Sequence, residues 1–329
     1  MDDAMLERTG VFLKEMSDSR GGEEVSIIWH GGEVLILDTE YFYRAGKIFD
    51  RTIGEHFEML QSSMIPFKEN QIQMIHDRMG GCVGSSVDFS QRKINDSVDK
   101  YLDLWMTKVA LARKNNINVI PSLVPTTNEL GKEGFLLDWM IDNDFPEFNI
   151  DRYNTFDFED KVDDYPSNRL HADFLIALFD AVFKKKAEGV SVPYINVIGA
   201  GVMGVLKGMS GERWGTTCQN DFVVIEPNGS LNSCPNRTTF ENPFSNVVDG
   251  FNGFASSKPR RKWIRIAAIE HAGSGCSECE FFSWCKSGCP INPQYEDGEC
   301  SGYKKYLKHI QELAKDEINK KAFLSYIEY

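Results

Sequence analysis

The stretch Cys276-Ser277-Glu278-Cys279-Glu280-Phe281-Phe282-Ser283-Trp284-Cys285-Lys286-Ser287-Gly288-Cys289-Pro290, with Cys300 shortly after it, holds five of the chain's eight cysteines. Two more flank the segment just upstream, Cys218 and Cys234. Between them lies Phe222-Val223-Val224-Ile225-Glu226-Pro227-Asn228-Gly229-Ser230-Leu231. This reads as a strand, a Pro-Asn-Gly turn and a return strand, a hairpin that carries the two thiols toward each other. Cys82 stands alone and reads as a small core residue. Seven clustered cysteines are an odd number, and the N-terminus lacks an export signal, so metal ligation is expected rather than disulfides. A Cys-x2-Cys pair turns two thiolates toward one centre. Thiolates are soft ligands, and four of them suit either a [4Fe-4S] cluster or a zinc ion in a cysteine-rich ribbon.

Working outward, the 329 residues suffice for one large domain or two ordinary ones. Hydrophobic residues make up 42% and charged residues 26%, a composition able to bury a core. No window approaches the roughly 18 to 20 apolar residues of a membrane span. Met1-Asp2-Asp3-Ala4-Met5-Leu6-Glu7-Arg8 lacks the basic start of a secretory signal, so a cytoplasmic location is expected and no membrane partner. A net charge of −13 repels phosphate backbones and argues against nucleic acid. The basic stretch from Lys258 to Lys262 reads as the solvated face of a helix.

The first two hundred residues alternate short apolar runs with helical periodicity. Met5, Phe12 and Met16 mark a first helix, and Val25–Trp29 a strand ending at His30-Gly31-Gly32. Helices are expected over Tyr41–Phe49, Lys68–Arg78, Leu130–Ile141 and Leu170–Lys186. Strands are expected over Phe57–Gln61, Val83–Val87, Val119–Val124 and Phe148–Arg152. Val98, Leu102, Trp105 and Val109 define a strongly amphipathic helix. Such alternation predicts an α/β fold of parallel βα units, with chemistry at the strand C-termini. The character changes near Gly199-Ala200-Gly201, which divides the chain into residues 1–199 and 200–329.

The cysteine block resembles the SPASM domain that extends many radical S-adenosylmethionine (SAM) enzymes at their C-terminus. Cys218, Gly229, Cys234, Cys276, Cys279, Cys285, Cys289 and Cys300 match its pattern in order, as do Asn246-Val247-Val248-Asp249-Gly250 and Cys285-Lys-Ser-Gly-Cys289-Pro290. The resemblance implies two auxiliary [4Fe-4S] clusters. Cys276, Cys279, Cys285 and Cys300 would ligate the outer one; Cys218, Cys234 and Cys289 the inner. Some relatives add an inner ligand six residues before the first hairpin cysteine, where this chain has Glu212, leaving an open iron or a non-cysteine ligand.

Upstream, Trp29-His30-Gly31-Gly32-Glu33 resembles the radical SAM strand-and-loop ending Gly-Gly-Glu-Pro, with Val34 in place of the proline. Gln61-Ser62-Ser63 and Ser86-Val87-Asp88 fall where relatives carry further SAM-facing strand ends, and Arg92 is a candidate partner for the SAM carboxylate. Gly31, Gly32, Glu33, Gln61, Ser86, Asp88 and Arg92 are therefore the cofactor-site candidates. The family's Cys-x3-Cys-x2-Cys loop, which holds the SAM-cleaving cluster, does not occur in residues 1–329. Three readings stay open: a late-started or truncated frame, a partner chain that supplies the piece, and a degenerate iron–sulfur relay or scaffold. The fold expected is a partial (β/α) barrel without its first strand, with five recognisable strands, followed by SPASM. The function expected is maturation of a peptide or protein, including ribosomally made peptides. Pro235 stands where sulfatase-maturing relatives use an aspartate base, which makes that branch the less favoured one.

Overall fold

Asp2 accepts the Met5 N–H at 2.8 Å and starts the first helix, whose Leu6, Phe12, Leu13 and Met16 form one buried stripe. The computed structural model describes residues 1–154, 163–235, 243–269, 275–289, 291–292 and 294–328; of 266–269 only the backbone is described, and Pro290 lies outside this set. In chain order the elements are α1 (Asp3–Ser19), β1 (Val25–Trp29), α2 (Thr39–Thr52), β2 (His56–Ser62), α3 (Ile72–Met79), β3 (Cys82–Ser86), α4 (Val98–Lys114) and β4 (Asn118–Leu123). There follow α5 (Glu133–Asp142), β5 (Glu147–Ile150), α6 (Asn168–Ala187), β6 (Tyr194–Ile195), α7 (Asn196–Lys207) and α8 (Thr217–Asn220). The remainder comprises β7 (Val224–Ile225), β8 (Ser230–Asn232), β9 (Ser245–Asn246), α9 (Gly250–Ser256), α10 (Lys258–Ile269), α11 (Phe282–Cys285), β10 (Tyr295–Glu296), β11 (Glu299–Cys300), α12 (Lys304–Leu313) and α13 (Glu317–Ile327).

Strands β1 to β6 are ordered in the sheet as in the chain, and the registers recorded for β1–β2, β2–β3, β3–β4 and β5–β6 are parallel. This is the arrangement expected of successive βα units. The α/β class and every helix and strand expected before residue 190 are present. The count of five strands is corrected to six: β6 has two residues, too few to give a periodic signal. The apolar stretch around Gly199 is helix α7, and the short strands β7 to β9 come after it. The two C-terminal helices were likewise not anticipated.

The chain falls into two compact units, residues 1–122 with 222–262, and residues 123–221 with 263–329; the division crosses strand β4. In the first, α1 packs on α2 and on α9, where Phe12 meets Phe254 edge-on at 5.8 Å. Trp105 of α4 is fully buried and donates its indole N–H to Ser85 at 3.0 Å. Alternation along β2 buries Glu58, Leu60 and Ser62 and leaves Phe57 and Met59 58% and 44% exposed, beside Ile28 of β1 at 45%. Parallel strands normally have both faces covered, so this apolar face over β1 and β2 at one end of the sheet is unusual.

In the second unit, α6 buries Phe174, Leu175, Leu178, Phe179 and Val182. Phe179 packs edge-on against Phe323 of α13 at 5.1 Å and against Tyr306 of α12 at 6.1 Å. Tyr326 ties the C-terminus to β6: its hydroxyl accepts the Ile195 N–H at 2.6 Å and donates to the Pro193 carbonyl at 3.0 Å.

Candidate metal centre and cofactor site

The SAM-site candidates all lie in the first unit, at the C-terminal ends of β1, β2 and β3 or on the loops that leave them. Gly31 and Gly32 have φ of +97° and +56°, and a Cβ built on either meets no atom within 4 Å. The backbone there is bare and open, a surface that a ligand can approach closely. Glu33 turns inward. Its carboxylate accepts Ser62 Oγ at 2.7 Å, the Ser63 N–H at 2.9 Å, Ser63 Oγ, and the Leu35 N–H at 3.1 Å. Burial works against its charge, but the bonds from Ser63 and Ser62 prevail and hold the carboxyl below the usual glutamate range. Glu33 thus ties the glycine loop to the end of β2.

Gln61 lays its amide oxygen over Gly84, its partner across the β2–β3 pair. Asp88 caps the next loop, accepting the N–H groups of Ser90, Gln91 and Arg92 at 2.9, 2.6 and 3.0 Å. The Ser86 carbonyl accepts Tyr101 hydroxyl at 3.4 Å, and Arg92 hydrogen-bonds the same hydroxyl. Tyr101 was not singled out in the sequence; its place in the α4 stripe hid it among core residues.

Six of the seven block cysteines belong to the second unit. None of the eight cysteines is in a disulfide. Residues Lys286, Ser287 and Gly288 follow α11 with φ of +52°, +73° and +69°, a tight knuckle. It directs the backbone N–H groups of Ser287 and Gly288 at the Cys285 sulfur. Gly302 packs on that sulfur, since a Cβ there would sit 2.6 Å from Cys285 Sγ and 3.9 Å from Cys300 Sγ. Burial, then the neighbouring Cys300, pushes the Cys285 thiol up to about 12. Burial raises Cys300 to about 11, against N–H bonds from Lys304 and Gly302. Cys279 is a further electrostatic neighbour of Cys285.

Cys218 and Cys289 form a separate neighbourhood. Burial first, and Cys289 second, push the Cys218 thiol to about 11. Cys289 is raised by burial and eased by N–H groups of Ile291 and Asn292 and by the nearby guanidiniums of Arg213 and Arg152. Cys234 is buried at the end of β8 in the first unit, where the predicted hairpin forms with Val224 opposite Asn232. Among the described residues no three histidine, cysteine or acidic side chains converge as a metal site. The donor set nevertheless fits an iron–sulfur core: soft sulfurs in two groups, each with backbone N–H groups aimed at sulfur, the bonds that stabilise cluster thiolates.

The knuckle is fastened from several sides within its unit. Gly215 N–H donates to the Cys285 carbonyl at 3.0 Å, Ser210 Oγ to the Trp284 carbonyl at 2.7 Å, and Trp214 Nε1 to the Gly302 carbonyl at 3.0 Å. Trp284 lies against Gly204 of α7 so closely that an added Cβ would sit 2.4 Å from its Cζ3. Gly204→Ala is therefore expected to destabilise the chain by about 1–3 kcal/mol, as overpacking does, and to lower iron uptake. Urea unfolding and an iron count check both.

No protein-family model matches the chain. A serine-type anaerobic sulfatase-maturating enzyme of Bacteroides thetaiotaomicron is 24% identical, over 94% of this chain and 81% of the relative. Native anSMEcpe, solved with bound AdoMet and the Kp18Cys peptide, superposes with a TM-score of 0.77 at 18% identity, covering 98% of this chain and 91% of that one. The chain has the radical SAM/SPASM fold. SuiB from Streptococcus suis, solved with its precursor peptide SuiA, is a more distant match, with a TM-score of 0.55 at 14% identity over 87% of this chain and 67% of that one.

Outside the motifs, the chain carries further charged groups in the second unit. Arg152 and Arg213 are half or wholly buried in the second unit. Asp151 and Glu212 precede them. Both residues are exposed, yet loss of hydration beside neighbouring groups raises both carboxyls, Glu212 further by Asp151, while Arg213 opposes both. Glu212 has φ +52° and accepts Asn196 Nδ2 at 3.1 Å. Asp151 and Arg152 directly follow β5, and that position at a strand's C-terminal end was the available signal.

Proposed function

We propose that this chain is a SPASM iron–sulfur protein that matures a peptide or protein, either as an enzyme or as the subunit of one, in the cytoplasm. The observation that carries the reading is the pairing of sulfurs, Cys285 with Cys300 and Cys279, and Cys218 with Cys289, within a chain that superposes on anSMEcpe along 98% of its length. In this reading Cys276, Cys279, Cys285 and Cys300 hold one auxiliary [4Fe-4S] cluster, and Cys218, Cys234 and Cys289 the other. Residues 1–199 form the SAM barrel and 200–329 the SPASM segment. SAM and its cluster supply radical chemistry when bound. The chain's own part is to position. Gly31 and Gly32 leave room for the methionyl end, Glu33 holds their loop to β2, and Asp88 sets Arg92 beside Tyr101.

The three-cysteine motif must then come from elsewhere, and we place its docking at the free edge of β1. The exposed face of Ile28, Met59 and Phe57 supports this, since a docked βα unit would pair with the β1 edge and lay its helix over that face. Pro235 favours a base other than the one sulfatase-maturing relatives use. The second reading is an iron–sulfur relay or scaffold without SAM cleavage.

Anaerobic reconstitution with iron and sulfide tests the common core of both. About eight irons and eight sulfides per chain are expected for two [4Fe-4S] clusters. Zinc without sulfide overturns it. Supplying SAM, reductant and a chain bearing the missing motif then separates the two: 5′-deoxyadenosine forms in the first case only.

A further inference from the structure

The β10–β11 hairpin joins the sulfur knuckle to the start of α6. Its strands have two residues each, Tyr295 opposite Cys300 and Glu296 opposite Glu299, across an Asp297-Gly298 turn with φ of +52° and +77°. So short a hairpin has little stability of its own. Side chains hold it instead. Asp297 accepts the hydroxyl of Ser167, the N-cap of α6, at 3.0 Å. Asn168 donates its backbone N–H to Glu296 at 3.3 Å and its side-chain amide to the Glu299 carbonyl at 3.4 Å. A carboxylate is favourable at a helix N-terminus, and α6 is 20 residues long.

Glu296 also reaches past α6. The same oxygen, Oε2, accepts the Tyr165 hydroxyl at 3.1 Å, and that hydroxyl accepts Arg152 Nη2 at 2.8 Å. Arg152 Nη2 donates as well to the Pro166 carbonyl at 2.6 Å, and its guanidinium carbon lies 4.6 Å from the Tyr165 ring centre. Tyr165 and Arg152 are each 8% exposed, so water screens these bonds little. Arg152 stands two residues past β5, at the end of the sheet where a barrel of this kind keeps its chemistry. Glu296, Tyr165 and Arg152 thus link the hairpin that carries Cys300 to the end of β5.

We propose that the β10–β11 hairpin is a coupling element. Ligation of Cys300 in the outer iron–sulfur centre holds the hairpin against α6, and Glu296, Tyr165 and Arg152 pass that restraint to the end of β5. The inference rests on the functional reading above. The backbone of Cys300 is already fixed, its N–H on Glu299 Oε1 at 2.7 Å and its carbonyl on the Tyr303 N–H at 3.0 Å. Ligation adds a restraint at the sulfur: the thiol proton goes to solvent, a sulfur–iron bond replaces it, and no electron moves. An element with docked and undocked arrangements, biased by a ligand at one end, couples two sites. The end of β5 is then fully ordered only in the iron-loaded chain.

Hydrogen exchange of the full chain, before and after anaerobic reconstitution with iron and sulfide, tests this. Loading should slow exchange about tenfold over residues 147–154 and 294–300, an ordinary size for coupling between two sites. Residues 98–114, which form α4 in the first unit, should change much less. Cys300→Ser should abolish the slowing over both segments while the centre near Cys218 and Cys289 still loads. Glu296→Ala should keep the slowing over 294–300 and lose it over 147–154. Tyr165→Phe removes one buried oxygen from the same route, and keeps the test available if Glu296→Ala loads iron poorly. Unchanged exchange over 147–154 in the loaded chain overturns the proposal. So does slowing there that survives both Glu296→Ala and Tyr165→Phe, or an equal slowing over 98–114, the mark of general stabilisation. Failure of the unaltered chain to take up iron and sulfide sinks the functional reading instead, and is seen before any exchange is compared.

Discussion

Cys285→Ser should leave the chain with about half its iron and sulfide after anaerobic reconstitution, about four of each rather than about eight. Cys285 is the most constrained of the sulfurs. Two knuckle N–H groups point at it, Cys300 and Cys279 are its electrostatic neighbours, and Gly302 presses against it. A hydroxyl is a hard, poorly ionised donor and does not replace a soft thiolate at iron. The centre near Cys218 and Cys289 draws on different sulfurs and should survive, with its EPR signal unchanged. Stability should fall as well, because binding energy of a structural metal centre is folding energy. Loss of all the iron would mean that the two sulfur neighbourhoods form one centre, and full retention would remove Cys285 from any centre.

The second large effect lies in the first unit. Glu58, 6% exposed on β2, receives Trp29 Nε1 at 2.7 Å and Arg78 Nε at 2.9 Å, with His56 Nε2 at 3.3 Å. Arg78 reaches on to Asp50 at 3.0 and 3.2 Å. Burial alone would ease the guanidinium's proton off, but Asp50 and Glu58 outweigh it and raise its pKa. Glu58→Ala strands a partly buried guanidinium and an indole N–H, so it should cost about 3–5 kcal/mol. Glu58→Gln keeps an acceptor for Trp29 and should cost less. Replacing Glu58 and Arg78 together by leucine and methionine should recover most of the loss, since the carboxylate left over, Asp50, is exposed and no buried charge is left unpaired. Urea unfolding followed by Trp29 fluorescence measures all three. A loss below about 1 kcal/mol for Glu58→Ala would show that the network contributes as weakly as an exposed pair.

Much of this was legible in one dimension. Val25–Trp29 appears as the strand it was read to be, and the 4-3-4 spacing of Val98, Leu102, Trp105 and Val109 lies within α4. Local periodicity reports burial of a face, and burial is what stabilises a helix or strand. Strand β6 escaped because two residues have no period. The apolar stripe of α7 was masked by glycines such as Gly204, which serve Trp284 rather than a turn. Soft-ligand chemistry was likewise visible, because cysteine spacing along a chain survives any folding.

The sequence by itself determined the α/β class, the hairpin and knuckle, and which residue types could ligate iron. Only the tertiary structure decided which sulfurs are neighbours, that Glu33 braces its loop instead of lying open, and that Arg152 and Arg213, 61 positions apart by their numbers, both act electrostatically on one cysteine. The reason is range. Periodicity and ligand type are properties of adjacent residues, whereas electrostatic pairing depends on distance in space, which chain separation does not encode.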